Sequence, residues 1–221
     1  MKIGVVGGTG DCGQGFTLRW AQGHEVIVGS RKAEKAEQFA EEIMEDLKGW
    51  GMSKPKVTGT DNAGAIEASD LVVLAVPYRF VETVTKDLKD SYSDQIVLSP
   101  VVPMGRVEKH FEYSPPPQGC ASFQIRDLLP PSVRIVAAFH TVSAAIFQDL
   151  NRVIHGDVLI CGDDKEAKKV VSGLVEEIRD LHPLDAGPLA VSPMLEGLTP
   201  MLLNISRLNK LKNAGIKIVE G

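Results

Sequence analysis

The feature that most narrows the fold lies in the first 22 residues. An apolar run, Lys2 to Val6, passes into Gly7-Gly8-Thr9-Gly10-Asp11-Cys12-Gly13, and a helix-period segment, Asp11 to Gln22, follows. The spacing GxGxxG falls on Gly8, Gly10 and Gly13. Alone that pattern is weak, but between a buried strand and a helix it is a dinucleotide-binding fingerprint. It asks for a tight turn at Gly8, close backbone approach to a pyrophosphate at Gly10, and close helix-to-strand packing at Gly13. The N–H groups of Thr9 to Cys12, Asp11 among them, then point at the phosphates with the helix dipole behind them. A glycine-rich turn that serves packing alone is the plainer alternative. Cys12 reads as a small apolar side chain, against the alternative of a thiol activated by the helix N-terminus.

The rest of the chain repeats the strand-helix alternation. Glu25 to Gly29 reads as a strand and Lys32 to Lys48 as an amphipathic helix, with Ala36, Phe39, Ala40, Ile43 and Leu47 on one face. Strands are expected over 57–60, 70–76, 95–99 and 133–137, and helices over 62–68, 80–88 and 121–129. The stretch from Val101 to Pro131 is otherwise irregular, with Ser114-Pro115-Pro116-Pro117 as a loop or polyproline segment. A strand at 157–161, a helix over 164–179, a short extended piece near Leu184 and a last helix from about Met194 to Leu211 complete the reading. Alternating elements imply parallel crossovers. The expected fold is therefore α/β, a Rossmann-like doubly wound, mostly parallel sheet (residues 1–153) with a small C-terminal α/β domain (residues 154–221).

The end of the second strand decides which dinucleotide fits. NAD enzymes place a carboxylate there to hold the ribose 2′-hydroxyl. Here the sequence is Gly29-Ser30-Arg31-Lys32-Ala33-Glu34-Lys35. Cations in a helix's first turn oppose its dipole, and a 2′-phosphate on NADP(H) accounts for them. Ser30 offers a hydroxyl, Arg31 a fork, and Lys35 a charge on the same face. A solvated basic helix start is the alternative.

Composition bounds the partners. With 24 Lys+Arg against 29 Asp+Glu, the net charge of −5 argues against non-specific binding to nucleic acid or an anionic membrane. No apolar run approaches the roughly 18 residues of a membrane span, and no secretory leader is evident. Three scattered cysteines, Cys12, Cys120 and Cys161, suit a reducing cytoplasm and no metal framework. Asp163-Asp164 reads as a helix cap, and Met194, Leu198, Met201, Leu202 and Ile205 as core or dimer contact.

A set of elements in order resembles the archaeal and actinobacterial NADP reductases that use 8-hydroxy-5-deazaflavin, coenzyme F420. They are Gly7 to Gly10, Gly29-Ser30-Arg31 with Lys35, Val76-Pro77, Ser99 to Pro103, Phe139-His140-Thr141, Cys161 to Asp164 and Leu184 to Leu189, closed by Leu198-Thr199-Pro200 and Gly215-Ile216-Lys217. The resemblance spans nearly the whole chain. It implies reversible hydride transfer between reduced F420 and NADP+, with the two rings stacked at the carboxyl edge of the sheet under the small C-terminal domain, and a homodimer. Carried over, Thr9 to Cys12 hold the pyrophosphate and Ser30, Arg31 and Lys35 the 2′-phosphate. Val76, Pro77, Tyr78 and Val102 lie on the ribose and nicotinamide side, and His140, Val142, Ala144 and Ala214 around the ring pair. The chain departs from the family pattern at Cys12, where a larger aliphatic residue is usual, at Ser143 in place of Pro, and at Tyr78 in place of Trp. Its first helix is also one residue shorter before Gly23.

Hydride transfer needs two carbons held in near-attack geometry and no nucleophile or metal. No single side chain is therefore expected to be indispensable. His140 is the one acid or base expected at the rings, read as a positioning contact. The competing readings are an NADPH-dependent reductase of a small imine or carbonyl, or of flavin and ferric iron, and a non-enzymatic NADP(H) sensor.

Overall fold

The computed structural model describes residues 1–221 and begins with a regular strand-helix alternation. It runs β1 (Lys2–Val6), α1 (Asp11–Trp20), β2 (Glu25–Ser30), α2 (Ala33–Gly49), β3 (Lys56–Asp61), α3 (Asn62–Glu67), β4 (Leu71–Leu74), α4 (Val81–Asp87) and β5 (Ile96–Ser99). A hairpin of β6 (Met104–Val107) and β7 (His110–Tyr113) interrupts it. Then come α5 (Ala121–Leu128), β8 (Arg134–Ala137), the single turn α6 (Ala144–Phe147), β9 (Gly156–Gly162), α7 (Lys165–Glu176), β10 (Leu181–Gly187) and α8 (Ser192–Asn209).

Eight strands form one sheet in the order β10-β9-β8-β5-β4-β1-β2-β3. All neighbours are parallel except β8 and β9, which meet antiparallel over Val136–Gly162 and Ala137–Cys161. This is the doubly wound α/β fold expected. Strand order reverses between β1 and β4, so the chain leaves these two strands in opposite directions and opens a crevice at their carboxyl ends.

Both faces of the sheet are covered, which is why its strands are nearly continuous apolar runs. Period-two alternation sends Ile3, Val5, Leu71, Val73 and Leu98 to the layer of α1, α2 and α7. Val72, Leu74, Val97, Ile135 and Ala137 face the layer of α3, α4 and α5. In the first layer Phe16, Trp20, Phe139 and Phe147 pack ring against ring at centroid distances of 4.9 to 5.8 Å. The Trp20 indole donates to the Leu174 carbonyl at 2.9 Å, which ties α1 to α7.

The hairpin lies within the stretch expected to be irregular. Its turn residue Glu108 has φ +49° in a position where Asn or Gly usually announces the turn. Tertiary contacts hold it: the Asn204 side chain of α8 accepts from the Phe111 N–H at 2.8 Å and donates to the Phe111 carbonyl at 2.7 Å. The extended piece expected near Leu184 is the full strand β10, paired along β9.

Candidate active site

The glycine loop differs from its spacing at one point: the turn expected at Gly8 falls on Gly7, and Gly8 is instead required by packing, since a Cβ there would lie 2.8 Å from the Val5 carbonyl oxygen. Gly7 turns with φ +73°, and the Gly8 N–H donates to the carbonyls of Val5 and Gly29 at 3.1 and 2.9 Å. A Cβ on Gly13 would sit 2.5 Å from Gly8 Cα, so that glycine is required for helix-strand contact. Gly10 differs. A Cβ there would meet the protein only at 3.5 Å, an ordinary contact, so nothing inside the fold demands its absence. Gly10 instead lines the cavity described below and is the N-cap of α1, with no side chain closing the helix end. A bare Cα beside uncapped N–H groups is a cradle that a phosphate fits. Asn62 completes the loop from outside the motif, its Oδ1 accepting the Gly7 N–H at 3.2 Å.

Farther along the same sheet edge, β2 ends on the buried Ser30, which sits opposite Asp61 of β3. Arg31 and Lys35 are exposed and make no ion pair within the fold. The helix starts one residue later than its charge pattern suggests. Lys32 is the extended N-cap of α2 and Arg31 precedes it. The dipole argument for an anionic partner thus applies to Lys35, while Arg31 projects from the connecting loop.

A cavity of about 870 Å³ occupies the crevice at the reversal of strand order. Its floor is the carboxyl edge of the sheet: Gly10 to Cys12 after β1, Val76 to Tyr78 after β4, Val102 after β5, and His140, Val142 and Ala144 after β8. Its roof is α8 with Thr199, Leu202 and Ser206, then Asn213 and Ala214 of the tail. The structure therefore brings together Gly10, Asp11, Cys12, Val76, Pro77, Tyr78, Val102, His140, Val142, Ala144 and Ala214 in one lining. Gly8, Thr9, Gly13, Ser30, Arg31 and Lys35 lie outside it, Gly8 and Gly13 as packing residues of the loop and the last three at the end of β2 and the start of α2.

The cavity is apolar with few titratable groups. His140 is 7% exposed, its Nε2 is buried without a partner, and burial pushes its pKa down to about 4. The imidazole is neutral at pH 7. Its carbonyl accepts from Thr199 Oγ1 at 2.7 Å, and the preceding Phe139 holds φ +67°, a strained value for an aromatic residue. Burial raises the Cys12 thiol to about 12, aided by Asp11, so the helix end does not activate it. Tyr78 is raised by burial first and by Glu196 and Glu82 after it.

Leu202, read from hydropathy as core or dimer contact, instead lines the cavity with Thr199 and Ser206, which hydropathy passes over because only part of α8's circumference meets the cavity. Met194, Met201, Ile205 and Leu208 are exposed, so Met194, Met201 and Ile205 are not core within one chain. Asp164 caps α7 as expected, accepting from the Ala167 N–H at 2.7 Å, whereas Asp163 accepts from the Leu189 N–H at 2.9 Å. No helix is long and apolar enough to cross a membrane.

Residues 2–103 match the model of a family described as NADP oxidoreductase, coenzyme F420-dependent. An F420-dependent NADP reductase of Methanocaldococcus jannaschii is 37% identical over 220 residues, 99% of this chain and 98% of the relative. One of Methanothermobacter thermautotrophicus is 33% identical over 225 residues, 99% of this chain and 94% of that one. Among solved structures, a protein of Arthrobacter sp. FB24 superposes with TM-score 0.81 over the full length of both chains at 22% identity, a likeness of fold.

Proposed function

The chain belongs to the coenzyme F420-dependent NADP oxidoreductases, and from that premise we propose that it moves a hydride between reduced F420 and NADP+ in the cavity at the strand-order reversal. The observation that carries the reading is full-length identity of 33 to 37% with reductases of that name, over a chain whose loop and cavity suit two extended ligands. When bound, the deazaflavin and the nicotinamide supply the redox chemistry themselves.

The protein's part is to hold them. In this reading, of the N–H groups of Thr9 to Cys12, those of Thr9, Asp11 and Cys12 bind pyrophosphate at the uncapped end of α1, that of Gly10 already donating to the Gly7 carbonyl at 3.1 Å, with Gly8 and Gly13 shaping the loop. Ser30, Arg31 and Lys35 take the 2′-phosphate. Val76, Pro77, Tyr78 and Val102 support the ribose and nicotinamide, and His140, Val142, Ala144 and Ala214 surround the rings. Small side chains at Ala144 and Ala214 leave room for flat ligands. Holding two reactants in near-attack geometry contributes on the order of 7–11 kcal/mol at best through orientation alone. The neutral His140 serves as an orienting contact, and its depressed pKa makes it a poor proton donor at pH 7.

The division at residue 153 belongs to the same proposal, with residues 154–221 covering the deazaflavin. So do a homodimer, which the exposed apolar side of α8 supports, and a cytoplasmic location, which the three free cysteines support. Mixing the purified protein with NADPH and oxidised F420 and following the deazaflavin absorbance tests the activity. Bleaching of that absorbance with matching loss of NADPH is expected. Tight NADPH binding without turnover would overturn the reading and favour a sensor.

A further inference from the structure

The ring cavity has two walls from distant parts of the sequence. One is the first turn of α1, with Asp11 and Cys12; the other is the segment Val142 to Ala144, which runs into α6. That second wall has little local support. A helix of four residues is far below the length at which helix formation is self-sustaining, and no side chain caps its start, because Ser143 Oγ is hydrogen-bonded to Asn213 Oδ1 instead.

One side chain gathers the other end. Arg19, half-buried on α1, donates from Nε to the Phe147 carbonyl at 3.0 Å and from one terminal nitrogen to the carbonyls of Ile146 and Asp149 at 3.2 and 2.8 Å. The Arg152 carbonyl lies at 3.4 Å from that nitrogen. The Ile146 and Phe147 carbonyls close α6, where a cation is favoured, and those of Asp149 and Arg152 belong to the turn that follows; Ile146 and Asp149 also accept the N–H groups of Asp149 and Arg152 at 3.1 and 3.0 Å. Phe147 is seated by the same helix, for a Cβ on Gly15 would come within 2.5 Å of its ring. Gln148 adds a second tie, its Nε2 donating to the Asp11 carbonyl at 2.6 Å.

Resting on the F420:NADP reading above, we propose that Arg19 is a positioning residue for the ring site: it fixes the Val142–Ala144 wall to the helix that carries the cofactor-binding loop. Arg19 touches neither ring site nor phosphate loop, so its removal shifts one wall and leaves the other. Arg19 reaches these carbonyls from two nitrogens held in one plane, whereas a Lys ammonium carries its three donors on a single nitrogen, which sets Arg apart from Lys here.

The test compares wild type with Arg19→Ala, Arg19→Lys and Gln148→Ala as full-length proteins. Each is read by NADPH affinity, by the fluorescence of bound NADPH and by single-turnover deazaflavin reduction at saturating ligands. Expected for Arg19→Ala are a 10- to 100-fold slower transfer, an NADPH Kd within 3-fold of wild type, and partial rescue by added methylguanidinium. Arg19→Lys should recover little, and Gln148→Ala should show the same split at 3- to 10-fold. The emission of bound NADPH should shift in Arg19→Ala, which reads ring placement without any deazaflavin. A saturated rate within 2-fold of wild type overturns the role, as does a loss confined to NADPH affinity or folded fraction. If Arg19→Ala does not fold, Arg19→Lys and Gln148→Ala decide by the same criteria. A wild type that binds NADPH and reduces no deazaflavin defeats the functional reading, and the fluorescence comparison still decides for Arg19.

Discussion

His140 shows how a single residue records its surroundings. A histidine with an unpartnered, fully buried Nε2 is neutral in the fold, with its pKa lowered from 6.5 to about 4. The unfolded chain protonates it below pH 6.5 and the folded chain does not, so stability is present above that pH and is lost as pH falls toward 4. A depression of that size corresponds to about 3 kcal/mol. Urea denaturation of wild type and His140→Gln at pH 7.5 and 4.5 isolates it: the variant should lack about 2 kcal/mol of the wild type's acid sensitivity. Parallel pH dependence in the two proteins would refute a buried neutral imidazole. Arg31 carries the other prediction at this scale. Arg31→Ala should weaken NADP(H) by about 10- to 100-fold, the range of a charge-assisted hydrogen bond, and NAD(H) by less than about 3-fold. Equal losses, measured by calorimetric titration, would remove the 2′-phosphate role.

At the scale of elements, two glycines that look alike in sequence predict opposite outcomes. Gly59 of β3 meets α2 so closely that a Cβ would lie 2.2 Å from the carbonyl carbon and oxygen of Ala36. Backbone cannot rotate away as a side chain does, so Gly59→Ala should destabilise by about 2 kcal/mol or more through overpacking. Gly173, inside α7, has nothing within 4 Å of the same position, and Gly173→Ala should stabilise by roughly 0.5–1 kcal/mol through helix propensity. Thermal unfolding of both variants checks the signs together. The same contrast explains what could be read in advance. Regular elements with strong periodicity, such as β1, α2 and α7, were legible because period and burial coincide. The β6–β7 hairpin was not, because its turn lacks Gly or Asn and its support comes from Asn204, some 90 residues away in the chain. The single turn α6 was hidden likewise, since its anchors are Arg19 and Gly15 on α1.

For the whole molecule, the glycine loop and the strand ends placed the cavity's floor in advance, because strand order dictates where a doubly wound sheet opens. The roof was less legible, because a helix that serves a cavity on one side and a surface on another blurs both patterns. That division leads to the last prediction. The cavity side of α8 carries Thr199, Leu202 and Ser206, while Met194 and Leu208 are 73% and 72% exposed, with Met201 and Ile205 between them. Val107 of the adjoining hairpin is exposed as well, whereas its Met104 lines the cavity. Together they make an apolar surface of the kind that a monomer seldom leaves in water, and in the homodimer proposed above a two-fold partner would cover it with the same patch. Placing charge there, as in Met201→Glu with Leu208→Glu, should convert a dimer to a monomer in sedimentation velocity at micromolar concentration. Neither residue lines the cavity, so NADPH binding to the monomer should stay within about 10-fold, or 1.4 kcal/mol, of the dimer's. A wild type that sediments as a monomer, or a double variant that remains dimeric, would place the subunit contact elsewhere or remove it.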